Sequence, residues 1–171
     1  MKPALTILHD IEEAREALPS SVRRTPIIPL APELCETGSE KLFLKAECLQ
    51  VTGAYKVRAA FNVIRCLTEV DKKRGIVLAS SGNFAQAFAF AGTQLGVSVV
   101  VVMLDQTSSY KVAATQELGA EVVFCGRDAL DRQPTVEKIA IDRAMTAIDT
   151  WEYPPIIAGH GSIGLEVIED M

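Results

Sequence analysis

The sequence predicts an α/β protein with a parallel sheet, because short apolar segments alternate with longer amphipathic segments along the chain. The links between these segments are short, as in repeated strand–helix–strand units. In addition, segment 97–103 is rich in β-branched residues and almost purely apolar, which is typical of a parallel strand covered on both faces. With 49% hydrophobic and 23% charged residues, the 171-residue chain has the composition of a globular protein with a sizeable core.

Strands are predicted where the apolar runs are short, and helices where apolar side chains recur with helical spacing. The predicted strands are 42–46, 76–79, 97–103, 121–124 and 156–158. The predicted helices are one that follows the Thr52–Gly53 turn and ends at Gly75, and four more at 84–95, 111–118, 134–148 and 162–171. The glycine-rich segment 158–164 is predicted to be a turn that leads into the last of these helices.

Charge and hydropathy argue against two classes of partner. The formal net charge is −5, whereas nonspecific binding to nucleic acid or to an anionic membrane needs a basic surface. Segment 75–104 is uncharged, but several polar side chains and Gly96 interrupt it, so it is predicted to be a buried strand–helix–strand and not a membrane span. The N-terminus lacks the apolar core of a signal peptide, which predicts a cytoplasmic protein.

The four cysteines give no indication of a metal site, because no two of them have zinc-ligand spacing and none lies near a histidine in the sequence. We therefore expect reduced, mostly buried thiols and no bound metal. The residues concerned are Cys35, Cys48, Cys66 and Cys125.

A candidate ligand site is the turn Ser80-Ser81-Gly82-Asn83, which joins the predicted strand 76–79 to the helix after it. The first N–H groups of a helix have no intrahelical acceptor, and the helix dipole favours an anion there. Parallel α/β sheets also bind their ligands at this end of the strands. The spacing alone leaves two interpretations open, an anion-binding turn or an ordinary helix cap with two serines.

A second candidate is Lys56, with Arg58 close behind it, in the first turn of the helix that follows Gly53. A cation at this position opposes the helix dipole, so a helix selected only for stability would more often carry an acidic residue there. The same position suits a lysine nucleophile, for which burial or a neighbouring cation such as Arg58 would supply further activation. The alternative is a pair of solvated cations on an exposed turn. His160 likewise could serve a ligand or only accompany a tight turn.

Four segments resemble those of the fold-type II pyridoxal-phosphate enzymes, the group of threonine and serine dehydratases and serine racemase. Residues 50–60, QVTGAYKVRAA, are similar to the segment that carries the cofactor lysine, and residues 79–86, ASSGNFAQ, to the asparagine loop. Residues 157–166, IAGHGSIGLE, are similar to a later glycine-rich segment that favours dehydratases and racemases over cysteine synthases. Residues 111–123, KVAATQELGAEVV, also fit, and the segments occur in the family's order.

The resemblance implies a role for individual residues. Lys56 would attach pyridoxal phosphate covalently and move the α-proton of the substrate. Asn83 would hydrogen-bond the ring oxygen of the cofactor, and Ser81 would act on the opposite face of the substrate. The backbone of the turn would hold the amino-acid carboxylate, and this set consists of Ser80, Ser81, Gly82, Asn83 and Phe84.

Several positions depart from the residues that are usual in this family. Tyr55 stands where phenylalanine is usual, Phe84 where histidine is frequent, and His160 where glutamine is frequent. Ala59 stands where glycine is usual, and its methyl group is expected to crowd whatever approaches that position.

The implied reaction is the β-elimination catalysed by an ammonia-lyase. Threonine or serine would lose its α-proton and β-hydroxyl, and the released enamine would hydrolyse to a 2-oxo acid and ammonia. An amino-acid racemase of the same group is an alternative, and so is a non-catalytic remnant or assembly module with this fold. Nucleotide binding is disfavoured, because no glycine fingerprint follows a predicted strand.

The resemblance further implies the tryptophan-synthase-β-like fold. A small parallel-sheet domain is expected at 46–150, with parts of an incomplete large domain at 1–45 and 151–171. The family's phosphate-cradling glycine loop would follow residue 171, and the last predicted helix has no C-cap, so we expect a truncated chain that is inactive alone. Apolar faces left uncovered would favour self-association or a homo-oligomer.

Overall fold

The backbone forms a four-stranded parallel sheet flanked by helices and a separate two-stranded antiparallel ribbon, in a computed structural model that describes residues 6–31, 41–151 and 153–171. The helices are α1 (Leu8–Glu16), α2 (Lys56–Cys66), α3 (Glu69–Arg74), α4 (Asn83–Leu95), α5 (Ser109–Glu117), α6 (Arg132–Asp142) and α7 (Pro154–Asp170). The strands are β1 (Ile27–Pro29), β2 (Phe43–Lys45), β3 (Ile76–Ala79), β4 (Val99–Met103), β5 (Glu121–Phe124) and β6 (Thr146–Ala147). The ribbon pairs β1 with β2, and the sheet has the order β5-β4-β3-β6. The predicted α/β class with a parallel sheet is confirmed.

The two central strands, β3 and β4, separate two layers of the core. Successive side chains of a strand point to opposite faces, so Ile76 and Leu78 pack with α2 and α4, whereas Val77 packs with α6. All five residues of β4 are buried, as the apolar run 97–103 predicts. The uncharged segment 75–104 is accordingly the buried unit β3–α4–β4, and no helix among the described residues is long and apolar enough to span a membrane.

The predicted long helix that ends at Gly75 is wrong, because the chain forms two helices there. Helix α2 ends at Cys66, and α3 begins after Thr68, whose backbone is extended and whose side chain accepts a hydrogen bond from the N–H of Asp71. This is a helix cap of the kind that threonine prefers. Gly75, with a φ of +78°, then ends α3.

The predicted helix 134–148 is also wrong in its second half. Helix α6 ends at Asp142, and Ala144 has a φ of +53°, a conformation that does not continue a helix. Thr146 and Ala147 form the short parallel strand β6, and Ile148 follows it as a buried residue. The apolar residues that suggested one helical stripe therefore belong to two elements.

The predicted strand 156–158 and the predicted turn 158–164 are both wrong, because the whole region is helical. Helix α7 starts with Pro154 and Pro155, positions where the missing N–H groups cost nothing. It packs between α1 and α2, and a Cβ built on Gly159 would lie 2.6 Å from the Cα of Ala59. Ala59 is thus crowded by helix α7, and the glycine at position 159 makes room for it.

The expectation of mostly buried cysteines is wrong for the described part of the chain. Cys48 and Cys66 are exposed, and Cys125 is partly buried. Cys35 lies outside the described residues. The division into domains at 46 and 150 remains a prediction.

Candidate functional site

Lys56 is the first residue of α2 and projects into an open cleft of about 510 Å³. The preceding turn bends at Gly53, which has a φ of +71°. The amine of Lys56 lies 4.3 Å from the ring centroid of Tyr55 and 4.5 Å from that of Phe84. Because Ser80 and Ser81 line the same cleft, the fold brings together the lysine and the turn that the sequence singled out separately.

The two serines of the turn make different contacts. The hydroxyl of Ser80 accepts hydrogen bonds from the N–H groups of Gly82 and Ala85, at 3.4 and 3.2 Å, and so caps the start of α4. The hydroxyl of Ser81 accepts a hydrogen bond of 3.0 Å from the hydroxyl of Thr107. Ser80 therefore serves the helix, whereas Ser81 is held from a different loop.

The rest of the turn forms the N-terminus of α4. Gly82 precedes the helix, and a Cβ built on it would meet no atom within 4 Å, so packing does not require a glycine and the turn is open on this side. The N–H groups of Asn83 and Phe84 belong to the first helical turn, where intrahelical acceptors are lacking. The Asn83 side chain is exposed and is not among the residues that line the cleft.

His160 of α7 stands beside the rings that contact Lys56. Its ring centroid is 4.8 Å from that of Tyr55 and 5.7 Å from that of Phe84. Its Nε2 atom is buried and has no hydrogen-bond partner among the described residues. Burial, together with the nearby charge of Lys56, lowers the pKa of His160 from 6.5 to about 4. At neutral pH, His160 is therefore an uncharged ring that contributes to the wall around the lysine.

Arg58 lies on the other side of α2, where it is fully buried in an ion cluster that we define as Lys45, Glu47, Arg58 and Glu166. Its guanidinium donates to both oxygens of Glu47 at 2.9 Å and to the two oxygens of Glu166 at 2.7 and 2.9 Å. Lys45 adds a contact of 2.7 Å to Glu166. Such two-pronged pairs are the strongest geometry available to arginine.

Arg58 is neither a solvated cation nor an activating neighbour of Lys56, as the sequence suggested, because it belongs to this ion cluster. Two carboxylates balance its charge. Burial alone would raise the pKa of Glu47, but hydrogen bonds from Arg58 and Thr25 hold it below the usual value. Arg58 consequently ties α2 to α7 and to the residues that follow β2, and so fixes the helix from which Lys56 projects.

The cleft is also lined by residues to which the sequence patterns gave no role. Arg132, the first residue of α6, lines the cleft, and its Nε atom is buried without a partner among the described residues. Trp151 also lines the cleft and is 88% exposed. Arg132 could have been found by the argument applied to Lys56, since it is also a cation in a first helical turn. Nothing in the local sequence indicates that Trp151 faces this cleft.

The residues present fit pyridoxal phosphate. Lys56 offers a primary amine without an ion-pair partner among the described residues, which is what capture of an aldehyde requires. The start of α4, open at Gly82, offers N–H donors to an anionic group. The cleft of about 510 Å³ is within the size range of sites for small cofactors.

Comparison with known proteins agrees with this fit. The family model described as "pyridoxal-phosphate dependent enzyme" matches residues 18–171. Over 96% of its length, the chain is 38% identical to an L-threo-3-hydroxyaspartate ammonia-lyase from Pseudomonas sp, of which it covers 51%. It is 35% identical to the catabolic L-threonine dehydratase TdcB of Staphylococcus aureus (strain USA300), again over 96% of this chain and 47% of the relative.

A solved structure is similar as well. Serine racemase from Dictyostelium discoideum superposes with a TM-score of 0.89 at 31% identity, over 98% of this chain and 54% of that one. The chain thus spans about half the length of the relatives that it matches. The predicted resemblance, the fold and the cofactor of the group are confirmed. By the match of its fold and of most of its length, this chain belongs to the family of pyridoxal-phosphate dependent enzymes.

Proposed function

We propose that this chain carries the lysine-bearing half of an amino-acid ammonia-lyase that removes the β-hydroxyl of threonine or serine. The observation that supports this most strongly is the position of the Lys56 amine, which shares one cleft with the anion-binding start of α4. Pyridoxal phosphate, when bound, supplies the electron sink for loss of the α-proton. The relatives named as ammonia-lyase and dehydratase support the same reaction class.

The roles follow from the surroundings of each group. Lys56 holds the cofactor through its Nζ atom and moves the α-proton of the substrate. The N–H groups at the start of α4 hold the amino-acid carboxylate, because the helix dipole and the open side of Gly82 favour an anion there. Ser81, which lines the same cleft as Lys56, serves as the second proton-carrying group. Asn83, exposed at the same helix start, is assigned to the ring oxygen of the cofactor.

The elimination balances without a further reactant. The α-proton and the β-hydroxyl leave as water, and hydrolysis of the resulting enamine consumes water and yields a 2-oxo acid and ammonia. Racemisation is the second candidate, and it is favoured by the presence of Lys56 and the Ser81 hydroxyl in one cleft, since two proton-carrying groups are what inversion at the α-carbon needs.

The direct test is covalent trapping. The protein is mixed with pyridoxal phosphate and reduced with borohydride, and the modified lysine is identified by peptide mass spectrometry. We expect Lys56 to be modified preferentially, and K56R to lose this labelling. K73R, at an exposed position on α3, is the matched control and should label like the parent protein. Modification of surface lysines alone, with Lys56 unmodified, would leave the non-catalytic assembly module as the better description.

Turnover by the 171 residues alone is proposed to be negligible, because the chain spans about half of its relatives. Ammonia release from threonine at a substantial rate contradicts this proposal. Self-association is proposed as well, from exposed apolar side chains such as Leu44 on the ribbon and Ile168 on α7. Light scattering that gives a clean monomer mass at high concentration contradicts it.

A further inference from the structure

Thr107 contacts the cleft residue Ser81 from a loop to which the motifs gave no role. It lies between β4 and α5, and its own N–H donates to the carbonyl of Leu104 at 2.9 Å, which fixes it in a turn. Its hydroxyl donates to the Ser81 hydroxyl at 3.0 Å. Thr107 is partly buried and is not among the residues that line the cleft, so its contact with the site runs through Ser81.

The sheet explains why these two residues meet. Strands β3 and β4 are parallel neighbours, with Ala79 opposite Val102, and the N–H of Ser80 extends the pairing by donating to the carbonyl of Val102 at 3.1 Å. The loops that leave the two strands therefore start side by side at the same edge. The contact therefore follows from the register of the central strands and from the turn that holds Thr107.

The contact has a chemical consequence for Ser81. A hydroxyl oxygen that already accepts a hydrogen bond directs its own proton elsewhere, and Ser81 lines the cleft. When Ser81 gives up its proton, negative charge develops on Oγ, and a hydrogen bond to the charged form stabilises it. The Ser80 hydroxyl differs in its partners, because it accepts from two backbone N–H groups and caps the start of α4.

We propose that Thr107 is the positioning residue for Ser81, holding the hydroxyl with its proton toward the cleft and stabilising the oxygen when that proton leaves. The role of Ser81 in proton transfer rests on the proposed function, whereas the effect of Thr107 on position 81 does not. The two can therefore be tested apart.

The test replaces the serine by a group whose proton affinity can be read directly. In S81C, the rate of alkylation by iodoacetamide at position 81 is measured against pH, with mass spectrometry separating this thiol from the native cysteines. S81C/T107V removes the donor at nearly constant shape, and S81C/T107S restores it. We expect the alkylation midpoint of S81C/T107V to lie about 0.5 to 1 pH unit above that of S81C, and S81C/T107S to return to the S81C value.

Equal midpoints in S81C and S81C/T107V overturn the proposal. So does a shift in S81C/T107V that S81C/T107S fails to reverse, because a packing effect of the valine then accounts for it. If S81C/T107V does not fold, as judged by circular dichroism, S81C/T107A replaces it with the same expected direction. Trapping of pyridoxal phosphate at Lys56 is followed in parallel in the wild-type protein and in T107V. If pyridoxal phosphate is not trapped at Lys56 in the wild-type protein, the proposed function is overturned. The effect of Thr107 on position 81, measured by alkylation, is then still valid.

Discussion

Lys56 and Arg58 are two cations in the same turn of one helix, yet they have opposite surroundings. Arg58 is fully buried and makes four hydrogen bonds of 2.7 to 2.9 Å to the carboxylates of Glu47 and Glu166. Lys56 is half-buried, lies over the rings of Tyr55 and Phe84, and has no carboxylate partner among the described residues. One cation is fully satisfied within the protein, and the other is left available to a ligand.

This contrast follows from the position of the two residues on α2. The helix packs against α7, which brings Glu166 to Arg58, whereas its first residue, Lys56, lines the cleft. A buried ion cluster contributes little net stability compared with an apolar core, but removing one partner leaves charges buried and unpaired. We infer that the ion cluster fixes the position of α2 relative to α7, and that Lys56 owes its direction to that anchor.

The largest expected effect comes from removing the anchored charge. R58M should lower the free energy of unfolding by about 3–5 kcal/mol, because Glu47 loses its cationic partner and the buried Glu166 keeps only Lys45. K56M, the matched substitution at the start of the same helix, should change it by less than about 1 kcal/mol, since no ion pair among the described residues is lost. Urea denaturation followed by circular dichroism measures both values. Equal effects of the two substitutions on the free energy of unfolding would show that Arg58 is no more important for stability than Lys56.

The next largest effect concerns the close contact between α7 and α2 at Gly159. In G159A, the new Cβ would lie 2.6 Å from the Cα of Ala59 and 2.9 Å from the carbonyl oxygen of Arg58. Both are backbone atoms of α2, so the helices must separate, at a cost of about 1–3 kcal/mol.

G164A, on the same helix, is the matched control, because a Cβ at that position would meet no atom within 4 Å. Alanine is the better helix former, so G164A should be neutral or more stable by up to about 1 kcal/mol. Thermal unfolding of the two variants gives the comparison. If G159A and G164A have the same unfolding temperature, the close approach of α7 to α2 does not contribute to stability.

Sequence reasoning was strongest where local pattern and position in the sheet agree. Strand β3, the turn at Ser80 and helix α4 follow from apolar runs and glycine placement, and the structure puts that turn beside Lys56. It was weakest where partners come from far along the chain. Arg58 could not be told from a solvated cation, because Glu166 is 108 residues away and reaches it only through the packing of α7.

The errors in the last third of the chain have a related cause. Segment 156–158 is apolar and contains two β-branched isoleucines, which favours a strand locally, but the packing of α7 against α1 and α2 makes it helical. The local pattern therefore predicts that His160 lies in a turn. In the helix it stands beside Tyr55 and Phe84, a contact that requires knowledge of how α7 crosses α2.

The smallest expected effect is on the pH dependence of stability, and it concerns His160, which lies near Lys56. The folded-state pKa of His160 is lowered to about 4, against 6.5 for an ordinary histidine, by burial and by the charge of Lys56. Between these values, the unfolded chain binds a proton that the folded chain does not bind. The contribution of His160 to stability is therefore fully present above pH 6.5 and decreases as the pH falls toward 4.

Urea denaturation at pH 7 and pH 5 measures this contribution. H160Q should lose less stability than the wild-type protein over this interval, by on the order of 1 kcal/mol after screening by solvent at a partly buried site. H9Q, at an exposed histidine on α1, should keep the wild-type loss. K56M should also lose less stability between pH 7 and pH 5 than the wild-type protein. The reason is that the Lys56 charge is one of the two causes of the lowered pKa of His160. Identical pH dependence in H160Q and the wild-type protein would mean that folding does not lower the pKa of His160, and therefore that the histidine is not buried beside the Lys56 amine.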